Sequence, residues 1–305
     1  MSDHPFYTAH GPVSAPGRFG PQVEAVPGSL PSMRTAARGL VFHYRADGDF
    51  AGNGIAADRI TEIDTRYAEH MLGRILQLSD EPLTRPRPAS ERLVGCCRDF
   101  TLLLVTIARA HGVPARARVG FATYFHPGWY IDHVIAEIWD GGQRRWRMVD
   151  AELADEHVGS DGALVDPEDL TPAQFLTGPA AWIACRSGTA DAGRFLVDPG
   201  LDIPATRGWP YVRHNLVHDL AALTKREMLL WDNWGWTDFM ATPGPGELAV
   251  LDELAAATVS SDVPLAQVES FYQLDGLRVP EQITSFSPAH AEPLEVSVPA
   301  VARVS

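Results

Sequence analysis

The sequence predicts an α+β fold in which one helix packs on an antiparallel sheet and a mainly helical extension follows. The first observation is an apolar stretch over 97–110, bounded by glycine and proline, which has the length and composition of a buried helix. The second is a set of three strand-like segments near 115–125, 131–139 and 144–150. The third is the pattern after the last strand, which predicts helices near 170–185, 212–230, 247–257 and 264–273.

The elements before the buried helix are shorter. Residues 1–35 are rich in Pro and Gly and lack periodicity, which predicts an extended N-terminal arm. The segment 39–44 is typical of a short strand, and 58–78 carries apolar residues at helical spacing on one face. Further on, Asp140-Gly141-Gly142 is a strong turn signal and predicts a hairpin between the last two of the three strands.

Composition and charge restrict the class of partner. The chain has 305 residues, 45% of them apolar, and a formal net charge of −14. Such an acidic chain is not expected to bind nucleic acid or an anionic membrane, although a local arginine patch could still engage an acidic carrier protein. Three cysteines make no disulfide framework, and the first residues lack the basic and apolar regions of a signal peptide. A reduced, cytoplasmic protein is therefore expected.

Cys97 is the candidate nucleophile because it opens the predicted buried helix. A thiol in the first helical turn faces the positive end of the helix dipole, which favours the thiolate form that attacks carbonyls. His133 begins the second strand and Asp150 ends the third, so a nucleophile, a base and an orienting carboxylate follow one another along the chain. Each residue alone has an ordinary structural interpretation, but the combination favours chemistry.

This order resembles the transglutaminase-like superfamily, whose pattern is G-x-C-x-D-F on a helix, H-x-x-x-E on a strand and W-x-x-x-D on the next. Here the motifs run from Gly95 to Phe100, from His133 to Glu137 and from Trp146 to Asp150. The segment Gly112-Val113-Pro114-Ala115-Arg116 is similar to the family's G-I-P-A-R turn. The resemblance covers about residues 90–155 and implies a papain-like Cys-His-Asp fold.

The resemblance also implies the role of each residue. Cys97 would be the nucleophile, His133 the base and Asp150 the orienting carboxylate, with the start of the helix against the paired strands. If the second and third strands pair through their turn, their facing sides could bring the imidazole and the carboxylate together. The domain organisation predicted in this way is an extended arm over 1–35 and a single transglutaminase-like catalytic domain over 36–305, with the mainly helical extension after about 155.

Other residues compete for the same roles. Cys96 offers a second thiol, but it lies about 100° around the helix or just outside it. Asp132 and Glu152 are rival orienting carboxylates, whereas Asp99 in the first helical turn is interpreted as structural. No metal is expected, because adjacent cysteines chelate poorly and no C-x-x-C accompanies them.

Four aromatic residues are predicted to bind substrate. Trp129 and Tyr130 lie in the loop that leads into the His133 strand, where they would rim the site. Trp231 and Trp234 belong to an aromatic cluster that could wall an acyl or aromatic substrate pocket. The alternative interpretation of this cluster is a core that docks the C-terminal helices.

The function expected from these features is cysteine-dependent acyl transfer through a Cys97 acyl-enzyme, without a cofactor. Amide bond formation between a small or carrier-bound acyl group and an amine is favoured, and the backbone N–H of Cys97 is the expected first oxyanion donor. One alternative is a cysteine peptidase or amidase that hydrolyses amide or isopeptide bonds. The other is a catalytically silent binding protein, and the oligomeric state stays open.

Overall fold

Nine α-helices and ten strands are found within residues 4–298, the part of the chain that the computed structural model describes. The helices are His4–Thr8 (α1), Gly20–Glu24 (α2), Leu30–Leu40 (α3), Ala68–Leu78 (α4), Cys97–Ala110 (α5), Gly178–Arg186 (α6), Gly208–Leu223 (α7), Pro245–Thr258 (α8) and Leu265–Tyr272 (α9). The strands are Val41–His43 (β1), Leu93–Gly95 (β2), Ala115–Ala122 (β3), Tyr130–Asp140 (β4), Arg145–Val149 (β5), Phe175–Thr177 (β6), Phe195–Leu196 (β7), Asp232–Asn233 (β8), Gln282–Ser285 (β9) and Leu294–Ser297 (β10). The α+β class is confirmed.

The described residues divide into two units by the distribution of their contacts. The first unit comprises 4–117, Ile135–Asp155 and Asp166–Asp169. The second comprises Arg118–Val134, Glu156–Val165 and 170–298, so the boundary falls within β3 and β4. The single catalytic domain over 36–305 stays a prediction.

In the first unit, α5 forms the centre of the hydrophobic core. All of its residues from Cys97 to Arg109 are buried, as expected for a mainly apolar helix at the centre of a core. The same core contains strand residues on β4 and β5, among them Ala136, Ile138 and Val149. A helix packed on antiparallel strands is therefore confirmed within this unit.

The hairpin between β4 and β5 is also confirmed. The two strands pair antiparallel, with Ala136 opposite Val149 and Asp140 opposite Arg145. The Asp140 carboxylate closes the turn by accepting hydrogen bonds from the Gly142 and Gln143 N–H groups, each at 2.9 Å. This use of an aspartate side chain is the reason that Asp-Gly sequences are reliable turn signals.

The predicted extended arm is corrected by the structure. Residues 4–40 form the short helices α1 and α2, a 3-10 helix over Gly17–Phe19 and then α3. Prolines stand in the first turns of α2 and α3, and Ser29 caps α3 by accepting the Ser32 N–H. Proline at the start of a helix fits its geometry, so two of the prolines that suggested irregular chain, Pro21 and Pro31, here stand at helix starts.

Two further elements differ from the prediction. The strand expected over 39–44 is shortened to β1, because α3 continues to Leu40. The helix expected over 58–78 is a 3-10 helix, Ala57–Asp64, followed by α4. The break falls where Arg98 binds the carbonyl oxygens of Thr65 and Arg66, at 3.4 and 2.5 Å.

In the second unit, α7 forms the buried centre, and every residue from Tyr211 to Leu223 is buried. An ion pair anchors the helix to β3, because Asp219 binds Arg118 at 2.8 Å and both side chains are fully buried. The predicted helical extension is present, but β6 occupies the first part of the segment assigned to a helix at 170–185. A three-stranded sheet in the order β10-β9-β8 was not predicted.

No helix within residues 4–298 is long and apolar enough to cross a membrane.

Candidate active site

Cys97 is the first residue of α5, and local hydrogen bonds determine that the helix begins there. Cys96 has extended backbone, and its N–H donates to the Asp99 carboxylate at 2.9 Å. In return, the Asp99 N–H donates to the Cys96 carbonyl at 2.9 Å. The Cys97 side chain is 5% exposed. It lies at a helix end where the dipole favours negative charge.

Asp99 has the structural role that the sequence predicted. Its carboxylate forms an ion pair with Arg98 at 3.0 Å, and both side chains are buried. Burial raises the pKa of Asp99, while Arg98 and the Cys96 N–H oppose that rise. The pair therefore fixes the first turn of α5.

Cys96 is poorly suited to be the nucleophile. A hydrogen bond with Cys97 lowers the pKa of the Cys96 thiol, but burial and the neighbouring Asp99 carboxylate raise it above its ordinary value. A thiol with a raised pKa carries little thiolate at neutral pH. This observation favours Cys97 over Cys96.

The segment that leads into Cys97 is held by a buried carboxylate. Glu62 accepts the Val94 N–H of β2 at 2.9 Å and binds Arg59 at 2.7 Å. Burial opposes ionisation of Glu62, but hydrogen bonds from Arg59, Val94 and Arg74 lower its pKa. The ionised carboxylate fixes β2 three residues before the candidate nucleophile.

His133 lies on β4, where aromatic rings enclose its imidazole. The side chain is 2% exposed. The ring centroids of Phe125, Tyr124 and Phe175 lie 5.1, 6.2 and 6.5 Å from that of His133. His157 joins the same cluster, with its ring 6.0 Å from Tyr124 and 6.1 Å from Phe125.

Sequence reasoning missed three of these neighbours. Phe125 follows Tyr124 in the loop before β4, and its place in that loop could have predicted that it lies near His133. Phe175 and His157 follow Asp150 in the chain, and no motif there pointed to them.

Asp150 follows β5 and is fully buried. One carboxylate oxygen, Oδ1, accepts the Glu152 N–H at 2.8 Å and the Leu153 N–H at 3.4 Å. The Asp150 N–H donates to the Pro167 carbonyl at 2.8 Å. The carboxylate is therefore held by the backbone of the residues that follow it.

The rival orienting residues have other contacts. Asp132 accepts hydrogen bonds from the Tyr211 hydroxyl and the Asn215 amide, both at 2.8 Å. Burial raises the pKa of Asp132 to about 6, although these two hydrogen bonds oppose the rise. Because neighbours on a strand point to opposite faces, Asp132 points away from the face of His133. Glu152 contributes its N–H to Asp150 rather than competing with it.

Two of the four predicted substrate-binding residues lie beside the loop before β4. Arg194 lies over the Trp129 ring at 4.9 Å, and Tyr130 stacks on Phe195 at 4.1 Å. These contacts hold both aromatic rings within the second unit, and both side chains are half-buried.

The other two, Trp231 and Trp234, lie in the C-terminal part of the second unit. Trp234 is 5% exposed, belongs to the core and packs on His218 with ring centroids 4.6 Å apart. Trp231 is half-buried, and its carbonyl accepts the Phe286 N–H at 2.8 Å. The surroundings of Trp234 match the alternative interpretation, in which the cluster is a core.

The three candidate catalytic residues differ in their location. Cys97 and Asp150 belong to the first unit, where their neighbours Phe100 and Val149 share one hydrophobic core. His133 belongs to the second unit, and the next part of the first unit begins two residues later, at Ile135. Their combination as one triad stays a proposal.

Comparison with known families decides what kind of domain carries these residues. A model of the transglutaminase-like superfamily matches residues 72–151. Residues 72–151 are a transglutaminase-like domain.

The transglutaminase-like domain extends from α4 to just past β5. It therefore contains Cys97, His133 and Asp150, whereas Trp231 and Trp234 lie outside it. The superfamily inferred from the sequence motifs is confirmed.

One similar solved structure is that of a protein from Cytophaga hutchinsonii that was proposed to be a cysteine protease. It shares 15% identity with this chain at a TM-score of 0.33, and the match covers 50% of this chain and 43% of that one. No curated protein matches the sequence.

Within residues 4–298, no group of three or more His, Cys, Asp or Glu side chains could hold a metal ion. Cys96, Cys97 and Cys185 form no disulfide bonds.

Proposed function

We propose that this protein is a cysteine-dependent acyltransferase in which Cys97 is the nucleophile, His133 the base and Asp150 the orienting carboxylate. The observation that carries the proposal is a thiol at the first residue of a buried helix within the transglutaminase-like domain. The hairpin of β4 and β5 supports the proposal. The pairing of these two strands is the condition under which we expected the His133 imidazole and the Asp150 carboxylate to come together.

In the first step, the Cys97 sulfur attacks the carbonyl carbon of an amide or thioester. The Cys97 thiol gives its proton to His133, and the new C–S bond forms as the sulfur attacks and the carbonyl becomes a tetrahedral oxyanion. This intermediate collapses when the bond to the leaving amine or thiolate breaks, and His133 passes its proton to that leaving group. The first-turn N–H groups of α5 point along the helix axis and suit an oxyanion. The product of this step is a thioester on Cys97.

In the second step, an acceptor attacks the Cys97 thioester and gives a proton to His133. An amine produces an amide, water produces an acid, and either outcome returns the thiolate. The two reacting side chains are 5% and 2% exposed. Such burial limits the access of bulk water, which favours an amine acceptor over hydrolysis.

The same burial favours a small or carrier-bound acyl group over an exposed protein chain. A substrate that reaches a nearly buried thiol must be narrow, whereas a general protease needs an open groove. A carrier-bound acyl donor meets this requirement, because only its acyl chain would have to reach the Cys97 thiol.

The experiment is product analysis with purified protein and a panel of acyl thioesters, each with and without a primary amine. Formation of the amide, absent in Cys97→Ala, is the expected result. Release of free acid in the presence of amine would identify a hydrolase instead. Efficient cleavage or cross-linking of casein, lost in Cys97→Ala, would contradict the small-substrate proposal.

A matched control is Cys185→Ala. Cys185 is buried in the second unit, and burial raises its thiol pKa to about 12. This variant should retain full activity. Loss of activity in Cys185→Ala but not in Cys97→Ala would overturn the choice of nucleophile.

A further inference from the structure

The residues that bind the Asp150 carboxylate are themselves bound by a helix far away in sequence. Oδ1 of Asp150 accepts the N–H groups of Glu152 and Leu153. The carbonyl oxygen of Glu152 accepts a hydrogen bond from Arg38 Nε at 3.2 Å, and that of Leu153 accepts one from Arg34 Nη1 at 2.8 Å. All five residues belong to the first unit.

Arg38 and Asp150 are joined through one peptide group. The carbonyl of Glu152 and the N–H of Leu153 belong to the same peptide bond. Arg38 binds its oxygen, and Asp150 binds its hydrogen. A cation at the carbonyl end polarises the peptide and strengthens the hydrogen bond at the other end.

Arg34 acts on the next peptide group and is the more buried of the two arginines. Its side chain is nearly inaccessible, and it also contacts Glu168 at 3.4 Å and pairs with Asp155. Asp155 is exposed, so its ion pair contributes little. The contact with the Leu153 carbonyl is buried and charge-assisted, which makes it the stronger constraint on the loop.

The spacing of the two arginines fits this task. Residues 34 and 38 are four apart on α3 and therefore lie on one face of the helix. The pair binds two successive carbonyl groups, and this fixes the path of the chain just after Asp150. A free loop at this position would allow the carboxylate to rotate.

We propose that Arg34 and Arg38 are positioning residues that hold the Asp150 carboxylate in its catalytic orientation. This inference rests on the proposed function, in which Asp150 orients the base. The arginines touch neither substrate nor reacting atoms, and they act only through the backbone of Glu152 and Leu153. Their loss should change how strongly the carboxylate supports the imidazolium, and hence the pH at which the Cys97 thiolate forms.

The experiment measures the rate of Cys97 alkylation by iodoacetamide across pH in the full chain, with the labelled site read by peptide mass. Arg34→Ala should move the midpoint of the pH profile upward and slow alkylation at neutral pH roughly tenfold, the effect of one lost charge-assisted hydrogen bond. Arg38→Ala should shift it in the same direction by less, and Arg34→Lys should restore part of the rate.

Glu168→Gln is the matched control, because it removes a negative charge beside Arg34 and leaves the bond to the Leu153 carbonyl. Its profile should match that of wild type. Urea unfolding of each variant separates a shifted midpoint from simple loss of folded protein. If Arg34→Ala does not fold, Arg38→Ala still tests the inference, because Arg38 is exposed and its removal leaves the core unchanged.

Two outcomes would overturn the inference in distinguishable ways. If wild type shows rapid alkylation that His133→Ala abolishes, and both arginine variants keep its midpoint, the positioning role is wrong and the proposed function stands. If wild-type Cys97 reacts like an ordinary thiol and His133→Ala changes nothing, both proposals fail.

Discussion

Acid should destabilise the second unit, because two neutral histidines are buried in its central helix. His214 and His218 stack with ring centroids 4.0 Å apart, and Nε2 of His218 donates to the Asp232 carbonyl at 2.9 Å. Burial lowers the pKa of His218 to about 3. Burial, together with the neighbouring His218, also lowers the pKa of His214 well below its ordinary value.

The sign and size of the effect follow from the His218 pKa. The unfolded chain takes up a proton near pH 6.5, whereas the folded protein does so only near pH 3, so the free energy of unfolding falls as the pH decreases through that window. Between pH 7 and pH 5, His218 alone should cost about 2 kcal/mol, and by pH 3 roughly 4 kcal/mol. His214 adds to the loss in the same direction.

The assay compares urea unfolding of wild type and His218→Gln at pH 7 and pH 5. Glutamine keeps an N–H donor for the Asp232 carbonyl but cannot take up a proton in this range. The variant should lose about 2 kcal/mol less than wild type over that step. His126→Gln, which removes an exposed histidine of the same unit, should lose as much as wild type. Equal losses in wild type and His218→Gln would show that protonation of His218 does not cause the acid sensitivity.

Further substitutions test the site and the core. Cys96→Ala should keep most of the acyl-transfer activity, and an inactive variant that folds normally would reverse the choice between the two thiols. His133→Ala should lower kcat by several orders of magnitude and Asp150→Asn by less, and a near-wild-type rate in the histidine variant would remove the triad. Asp219→Asn should lower the free energy of unfolding by roughly 3–5 kcal/mol, because it leaves Arg118 buried without its counter-charge. If urea unfolding gives this variant the same free energy of unfolding as wild type, the ion pair does not make that contribution.

The transglutaminase-like segment was the most predictable part of the chain, because its signals are local. The glycines at 95 and 112 bracket α5, whose observed bounds match the prediction. The Asp140 side chain makes its turn bonds within three residues, so the hairpin could be inferred from a few letters. The superfamily followed from three motifs in the same region.

Other parts depend on contacts that sequence spacing does not reveal. The break between 64 and 68 reflects Arg98 binding carbonyl groups more than 30 residues away. Arg34 and Leu153 are separated by 119 positions, so no pattern along the chain links α3 to Asp150. Strands β8 and β9 are only two and four residues long, too short to show periodicity.

The N-terminal helices show a different difficulty. Proline at 21 and 31 was interpreted as a sign of irregular chain, whereas in the structure both residues stand in the first turn of a helix. The same residue type signals a break within a helix and a favourable start at its first turn. At α3, the capping contact of Ser29 with the Ser32 N–H marks the proline as part of a helix start.

The most direct test of the central claim is intact-protein mass spectrometry after incubation with an activated acyl thioester in the absence of amine. We expect one acyl group per chain, which maps to Cys97, is absent in Cys97→Ala and is discharged when an amine is added. An adduct that maps to Cys96 or Cys185 would contradict the proposed mechanism. So would a wild-type protein that turns over a thioester donor but never carries its acyl group.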